Sequence, residues 1–249
     1  MDNTSRNFWD YVSFPDREER DRMACSKEFS QMQISPDELG YSKNLGKFSW
    51  EEPKLYELMC HFNNKVLETS ISYAMSIHYI NIGVSELPYT QSIDDQNNGY
   101  KYANRFWFAY YTDVFFVQMQ ATWDILLDIL NHYYGYSFDN DQRITKRLLK
   151  ALKKDHPEVS RYIDEIWNSP IFQTIHQYRV NSAHSTSSIN VRDTVDVVKS
   201  DDREVMQLIG PGVFEKPSVV VKNMDDYIIF AIQSIHNLLN KVLKENSHA

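Results

Sequence analysis

Few of the residues that mark common enzyme classes occur in this chain of 249 residues. There are two cysteines, Cys25 and Cys60, and no CxxC pair, which excludes a disulfide framework and fits a reducing compartment. Glycine and proline number only 7 and 8, too few for the turns of an all-β fold, so helices are favoured. Positive charge is scarce: 26 Lys and Arg stand against 34 Asp and Glu, for a net charge of −8. A chain of that balance is no general polyanion binder, and any nucleic-acid contact has to be local. No HExxH, Cys/His cluster, glycine-rich phosphate loop or GxSxG is present. Metal, nucleotide-cradle and serine-nucleophile chemistry therefore lack support, and no cofactor is expected. Long apolar runs are missing too. The most apolar window, Phe106 to Leu130, is interrupted by Asp113, Gln118, Gln120, Asp124 and Asp128, and a bilayer-spanning helix rarely carries three carboxylates. The polar start, Met1 to Arg6, has no signal-peptide apolar region. These absences predict a cytoplasmic protein without a membrane segment.

What is present is helical periodicity with clear punctuation. Phe14-Pro15-Asp16 opens a charged stretch that predicts a helix to about Met32, and Ser35-Pro36-Asp37-Glu38 has the cap-then-proline form of another start. Residues 1–52 read as an N-terminal arm or cap, and 53–249 as the helical domain. Within that domain a long helix is predicted from about Trp50–Lys54 to Gly83, with its core stripe at Leu55, Leu58, Met59, Phe62 and Val66. Residues 85–99 read as a loop. A second long helix, about 100–134, is apolar nearly all round and ends at Gly135, as expected of the central helix of a bundle. Gln120, Asp124 and Asp128 form one polar line on it. A third helix runs to Lys154 from a cap at Asn140 or Asp141. Its Arg143, Lys146, Arg147, Lys150, Lys153 and Lys154 make a basic stripe opposite Ile144, Leu148, Leu149 and Leu152. Pro157 opens a short helix to Trp167, and Ser169-Pro170 opens another whose stripe is Ile171, Phe172, Ile175 and Tyr178.

Beyond residue 184 the β-branched runs 189–198 and 217–222, with Ile209-Gly210-Pro211-Gly212 as a turn between them, predict a hairpin or ordered loop inserted at 185–223. A last helix runs from about Met224 to Lys244. The predicted fold is all-α: a mostly antiparallel bundle of four or five main helices, with an N-terminal appendage and a small β-like insertion.

The densest chemistry lies in Tyr178-Arg179-Val180-Asn181-Ser182-Ala183-His184. Arg179 is a fixed cation and His184 an imidazole able to act near neutrality. Five residues on an unbroken helix turn by roughly 140° at 100° per residue. The two side chains can converge if the helix loosens near Ala183, or if two copies of the motif meet across a two-fold axis. RNA carries its own nucleophile, the 2′-hydroxyl, so cutting it needs an acid or base and a cation for the phosphorane rather than a metal. Asn181 is a candidate helper. His176, one turn before Arg179, can join the same cleft, and Asp124 and Asp128 can orient Arg179 or His184 from the central helix. More ordinary roles are open for each: last-turn basic residues satisfying helix carbonyls, carboxylates lining an inter-helix groove, a half-buried histidine.

An Arg-x4-His at a helix end, in an all-helical bundle with one more amphipathic helix after it, resembles the HEPN superfamily (higher eukaryotes and prokaryotes nucleotide-binding). The resemblance covers about Leu55 to Leu243. It implies a metal-independent endoribonuclease of toxin, anti-phage or RNA-processing type, dimeric, with two motifs forming one cleft. Arg179 would then hold phosphate and His184 would act as acid–base residue, and an antitoxin or other regulatory protein would be a partner. The family often has a polar residue directly after the Arg, where this chain has Val180, and some branches have a Tyr where it has Thr186. The alternatives are a non-catalytic HEPN-like module that binds nucleotide, RNA or a protein, and a helical interaction protein whose spacing is coincidental.

Overall fold

The computed structural model describes residues 12–26, 28–35, 52–86, 96–136, 138, 144–184, 193–200, 203–211 and 215–246. Its elements in chain order are α1 (Arg17–Cys25), a 3-10 turn (Phe29–Met32), α2 (Glu52–Gly83), α3 (Gln96–Tyr133), α4 (Ile144–Asp155), α5 (Pro157–Trp167), α6 (Pro170–His184), β1 (Asp193–Ser200), β2 (Arg203–Pro211) and α7 (Pro217–Asn246). This is a helical bundle carrying one two-stranded antiparallel hairpin. Among the described residues no helix is long and apolar enough to cross a membrane.

The scaffold is the α2–α3 pair. With 32 and 38 residues the two helices are about 48 and 57 Å long. Both are stopped by glycine in the left-handed region, Gly83 at φ 110° and Gly135 at φ 69°, a conformation that costs other residues a Cβ clash. Asn104 donates to the Gly83 carbonyl at 3.1 Å, which ties the end of α2 to the start of α3. Between them Phe62, Val66, Tyr79, Phe108, Phe115 and Met119 are essentially sealed from solvent. α7 closes the core with Tyr227, Ile228 and Ile235, and the Trp123 indole donates to the Tyr227 hydroxyl at 2.7 Å inside it.

The charged N-terminal stretch departs from the expected single helix. Asp16 caps α1 by accepting from the Glu19 N–H at 2.7 Å, but the helix stops at Cys25, and Glu28 at φ 53° precedes the next turn. A 3-10 turn follows, and Phe29, Met32 and Ile34 join the main core. Asn63 of α2 grips Ile34 at both backbone polar groups, at 2.9 and 3.0 Å. The start expected at Ser35-Pro36-Asp37-Glu38 and the α4 caps Asn140 and Asp141 fall on residues outside the described ones, apart from Ser35.

The second correction concerns 185–223. The strands pair from Ser200↔Arg203 to Asp193↔Pro211, with an irregularity between Asp193 and Val195. Ile209, Gly210 and Pro211 are therefore the end of β2 rather than a turn; Pro211 sits where the ladder finishes and needs no donor. Residues 217–222 are not a strand but the first turns of α7. Pro217 suits a first helical position. Glu86, from beyond α2, receives the Ser218 N–H and hydroxyl, each at 3.0 Å. Val220 is fully buried. That cap and that burial outweigh the strand preference of Val219-Val220-Val221.

Candidate functional site

The Arg179–His184 motif occupies the last two turns of α6, and the helix is built to hold it against α3. Ser169 caps α6 by accepting from the Phe172 N–H at 3.2 Å, with Pro170 at the first position. Phe172, Ile175 and Tyr178 then fall on one stripe and are buried. Phe172 meets Trp123 edge-on at 5.8 Å. Tyr178 stacks on Phe116 at 4.3 Å between centroids and 3° between planes. As the chain advances along α6 its partners step backward along α3, so the two helices are antiparallel. The Tyr178 hydroxyl accepts from Asn223 of α7 at 2.9 Å. Burial, with Glu215 alongside, pushes its pKa well above the usual phenol range. Tyr178 is thus fixed from two helices, which sets the starting direction of the Arg179 side chain beside it.

Arg179 is half-buried and His176 exposed. Both exert their charge on Asp124, which faces solvent across from them on α3. Asp124 also accepts from Gln120 at 3.4 Å. Desolvation by the surrounding helices is the largest influence on its carboxyl and raises the pKa, against the lowering effects of Gln120, Arg179 and His176. Asp128 is raised for the same first reason, with His132 lowering it, Asp124 raising it and Lys54 lowering it again. The structure thus brings Asp124, His176 and Arg179 into one electrostatic group, while Asp128 belongs to an adjoining one with His132 and Lys54. His132, four residues after Asp128, was readable from helical spacing. Lys54 lies on another helix and had no local signal.

Asn181 is half-buried, and its side-chain oxygen accepts from Gln177 at 2.8 Å. The backbone is helical through His184, so the loosening near Ala183 that would let Arg179 and His184 converge within one chain is not observed. The His184 side chain and the Ser185–Ser188 run lie outside the described residues. Among the described residues no group of three His, Cys, Asp or Glu side chains is arranged to hold a metal ion. A cavity of about 670 Å³ lies between α1 and α2, lined by Arg20, Phe29, Val66 and Ile71 among others, and takes nothing from α6.

A helical bundle of this order, with a basic motif at the end of the penultimate helix, is a HEPN module. The chain belongs to the family described as HEPN_Cthe2314-like HEPN, whose family model matches residues 58–244. That span runs from Leu58 in the first turns of α2 to Lys244 near the end of α7 and contains the whole motif. No curated protein and no solved structure matches the chain.

Proposed function

We propose that this HEPN module is a metal-independent endoribonuclease that works as a homodimer, with Arg179 and His184 of two copies facing one cleft. The observation that carries the reading is the unbroken course of α6 through His184. It leaves the two residues about 140° apart around the helix, so a second copy is the arrangement that sets an arginine beside a histidine. In that cleft a His184 imidazole takes the proton of an RNA 2′-hydroxyl as its oxygen attacks the adjacent phosphorus. Arg179 stabilises the charge gathering on the phosphorane oxygens, and the departing 5′-oxygen takes its proton from solvent. The products are a 2′,3′-cyclic phosphate and a free 5′-hydroxyl. Asp124 orients the Arg179 guanidinium from α3, and Asn181 supplies a polar contact to the RNA. The unpaired thiols of Cys25 and Cys60 suit a cytoplasmic site of action, in a toxin, anti-phage or RNA-processing role under the control of a protein partner.

A second reading is a HEPN module that binds RNA or nucleotide without cutting it. Val180 directly after Arg179, and a carboxylate already facing the arginine, favour it.

One experiment separates the two. Wild-type protein is expected to cleave RNA in EDTA, and Arg179→Ala and His184→Ala are each expected to abolish cleavage. Mixing the two inactive variants should restore activity, because the mixed dimer keeps one arginine and one histidine. Cleavage that survives both substitutions would remove this site assignment. Failure of the mixture to recover would remove the shared cleft, and binding without any cleavage would leave the second reading.

A further inference from the structure

Several helices of this protein carry cations matched to an acid on the same helix. Arg17 pairs with Asp21, Lys54 with Glu57, Lys65 with Glu68, Arg161 with Glu158 and Glu165, and Lys222 with Asp226. α4 is different. Lys146, Lys150, Lys153 and Lys154 are all exposed, and of these four Lys154 pairs with Asp155 at 3.6 Å. Among the described residues Lys146, Lys150 and Lys153 have no carboxylate within ion-pair distance. They follow one another at four and three residues, so they lie along a single face and span about 10 Å of the axis.

Among the described residues the acids near the C-terminal end of α4 have partners other than Lys146, Lys150 and Lys153. Asp155 also accepts from the Tyr136 hydroxyl at 3.1 Å. Glu245 takes His156 at 2.8 Å and the Tyr134 hydroxyl at 3.3 Å. Glu158 and Glu165 are held by Arg161. Among the described residues the result is a line of three lysines without carboxylate partners, on a protein whose net charge is −8.

We infer that the outer face of α4 is the docking track for the RNA phosphate backbone. This rests on the reading of the protein as one that acts on or binds RNA, and adds where the backbone is held. The composition of the face decides between partners. Leu148 and Leu152 are buried, Ile144 and Leu149 half-buried, and the exposed residues before the terminal Asp155 are all lysine. A protein interface needs an apolar centre and is poor in lysine. A phosphate backbone needs point cations and no apolar centre.

The test is a titration of unstructured single-stranded RNA against the full chain over a range of salt concentrations. The α4 variant is Lys146→Glu/Lys150→Glu/Lys153→Glu, with the matching Lys→Gln set as a milder second variant. Arg17→Glu/Lys65→Glu/Lys222→Glu makes the same change in net charge on matched cations. The α4 charge reversal is expected to weaken binding roughly tenfold or more at low salt, and to flatten the slope of log K against log salt by about two, at about 0.7 per lost contact. The matched-cation control is expected to keep the wild-type slope, and Arg179→Ala to change it by less than about one. Equal losses in the control, an unchanged slope in both α4 variants, or wild-type protein with no salt-dependent RNA affinity would each overturn the inference. Cleavage is read separately. Binding that depends on α4 without cleavage sinks the ribonuclease and keeps the track, and cleavage with binding indifferent to α4 does the reverse.

Discussion

α6 and α4 both present cations, and the way each does so is opposite. Arg179 on α6 is half-buried, follows a tyrosine stacked between helices, and lies within the electrostatic reach of Asp124 on α3 without forming an ion pair with it. Lys146, Lys150 and Lys153 on α4 are exposed and have no carboxylate within ion-pair distance among the described residues. The first arrangement places one charge beside a packed helix pair, which the proposed chemistry on a phosphorane would use. The second spreads a field along a helix, which suits attraction of a chain whose register does not matter. Packing should therefore govern the α6 region, and ionic strength the α4 region.

The sharpest way to break that contrast is to remove the stack. Phe116→Ala is expected to cost about 3–5 kcal/mol in chemical denaturation, the usual price of emptying an aromatic site in a core. A loss below 1 kcal/mol would mean that α6 is not held through Tyr178. A smaller effect is expected of Tyr178→Phe, about 1 kcal/mol, because the ring stays and only the hydroxyl's hydrogen bonds with Asn223 and Glu215 are lost. Ser169→Ala should also lose about 1 kcal/mol, by leaving the Phe172 N–H without its cap; no change in melting would place the start of α6 under tertiary rather than local control.

Asp124→Asn should move stability the other way, and only slightly. A carboxyl whose folded pKa is raised supports folding when protonated. That contribution is complete below the unfolded value of about 3.9 and disappears as pH rises through the higher folded value. At neutral pH the charged form is a small cost, so Asp124→Asn is expected to stabilise by less than about 0.5 kcal/mol, given the solvent exposure of the group. The gain should vanish near pH 4. A variant less stable than wild type at pH 7 would show that attraction to Arg179 and His176 outweighs desolvation. The smallest effect belongs to α4: Lys146→Gln/Lys150→Gln/Lys153→Gln should leave stability within about 0.5 kcal/mol, a null result that separates its role from that of α6.

Much of the fold was readable where the signal and its consequence are close in the chain. Pro157 and Trp167 bound α5 as expected, Ser169-Pro170 opens α6, and Gly83 and Gly135 stop the long helices. Each of these acts through a dihedral or a cap within four residues. The start of α7 was misread as strand because its cap, Glu86, is 132 residues away, although Pro217 was a local hint of a helical first turn. The polar line on α3 was visible as a periodicity, but only packing divided it, giving Asp124 to Arg179 and His176 and leaving Asp128 to His132 and Lys54.

The sequence alone determined the all-helical class, the HEPN resemblance and the ends of most helices, because these depend on residue type and near-neighbour spacing. Tertiary structure decided that 217–222 is helix, that Asp124 lies within the electrostatic reach of Arg179, and that Lys146, Lys150 and Lys153 stand without a carboxylate partner among the described residues. Those outcomes depend on groups far apart in the chain, whose meeting is set by how the helices pack and not by the order in which they occur.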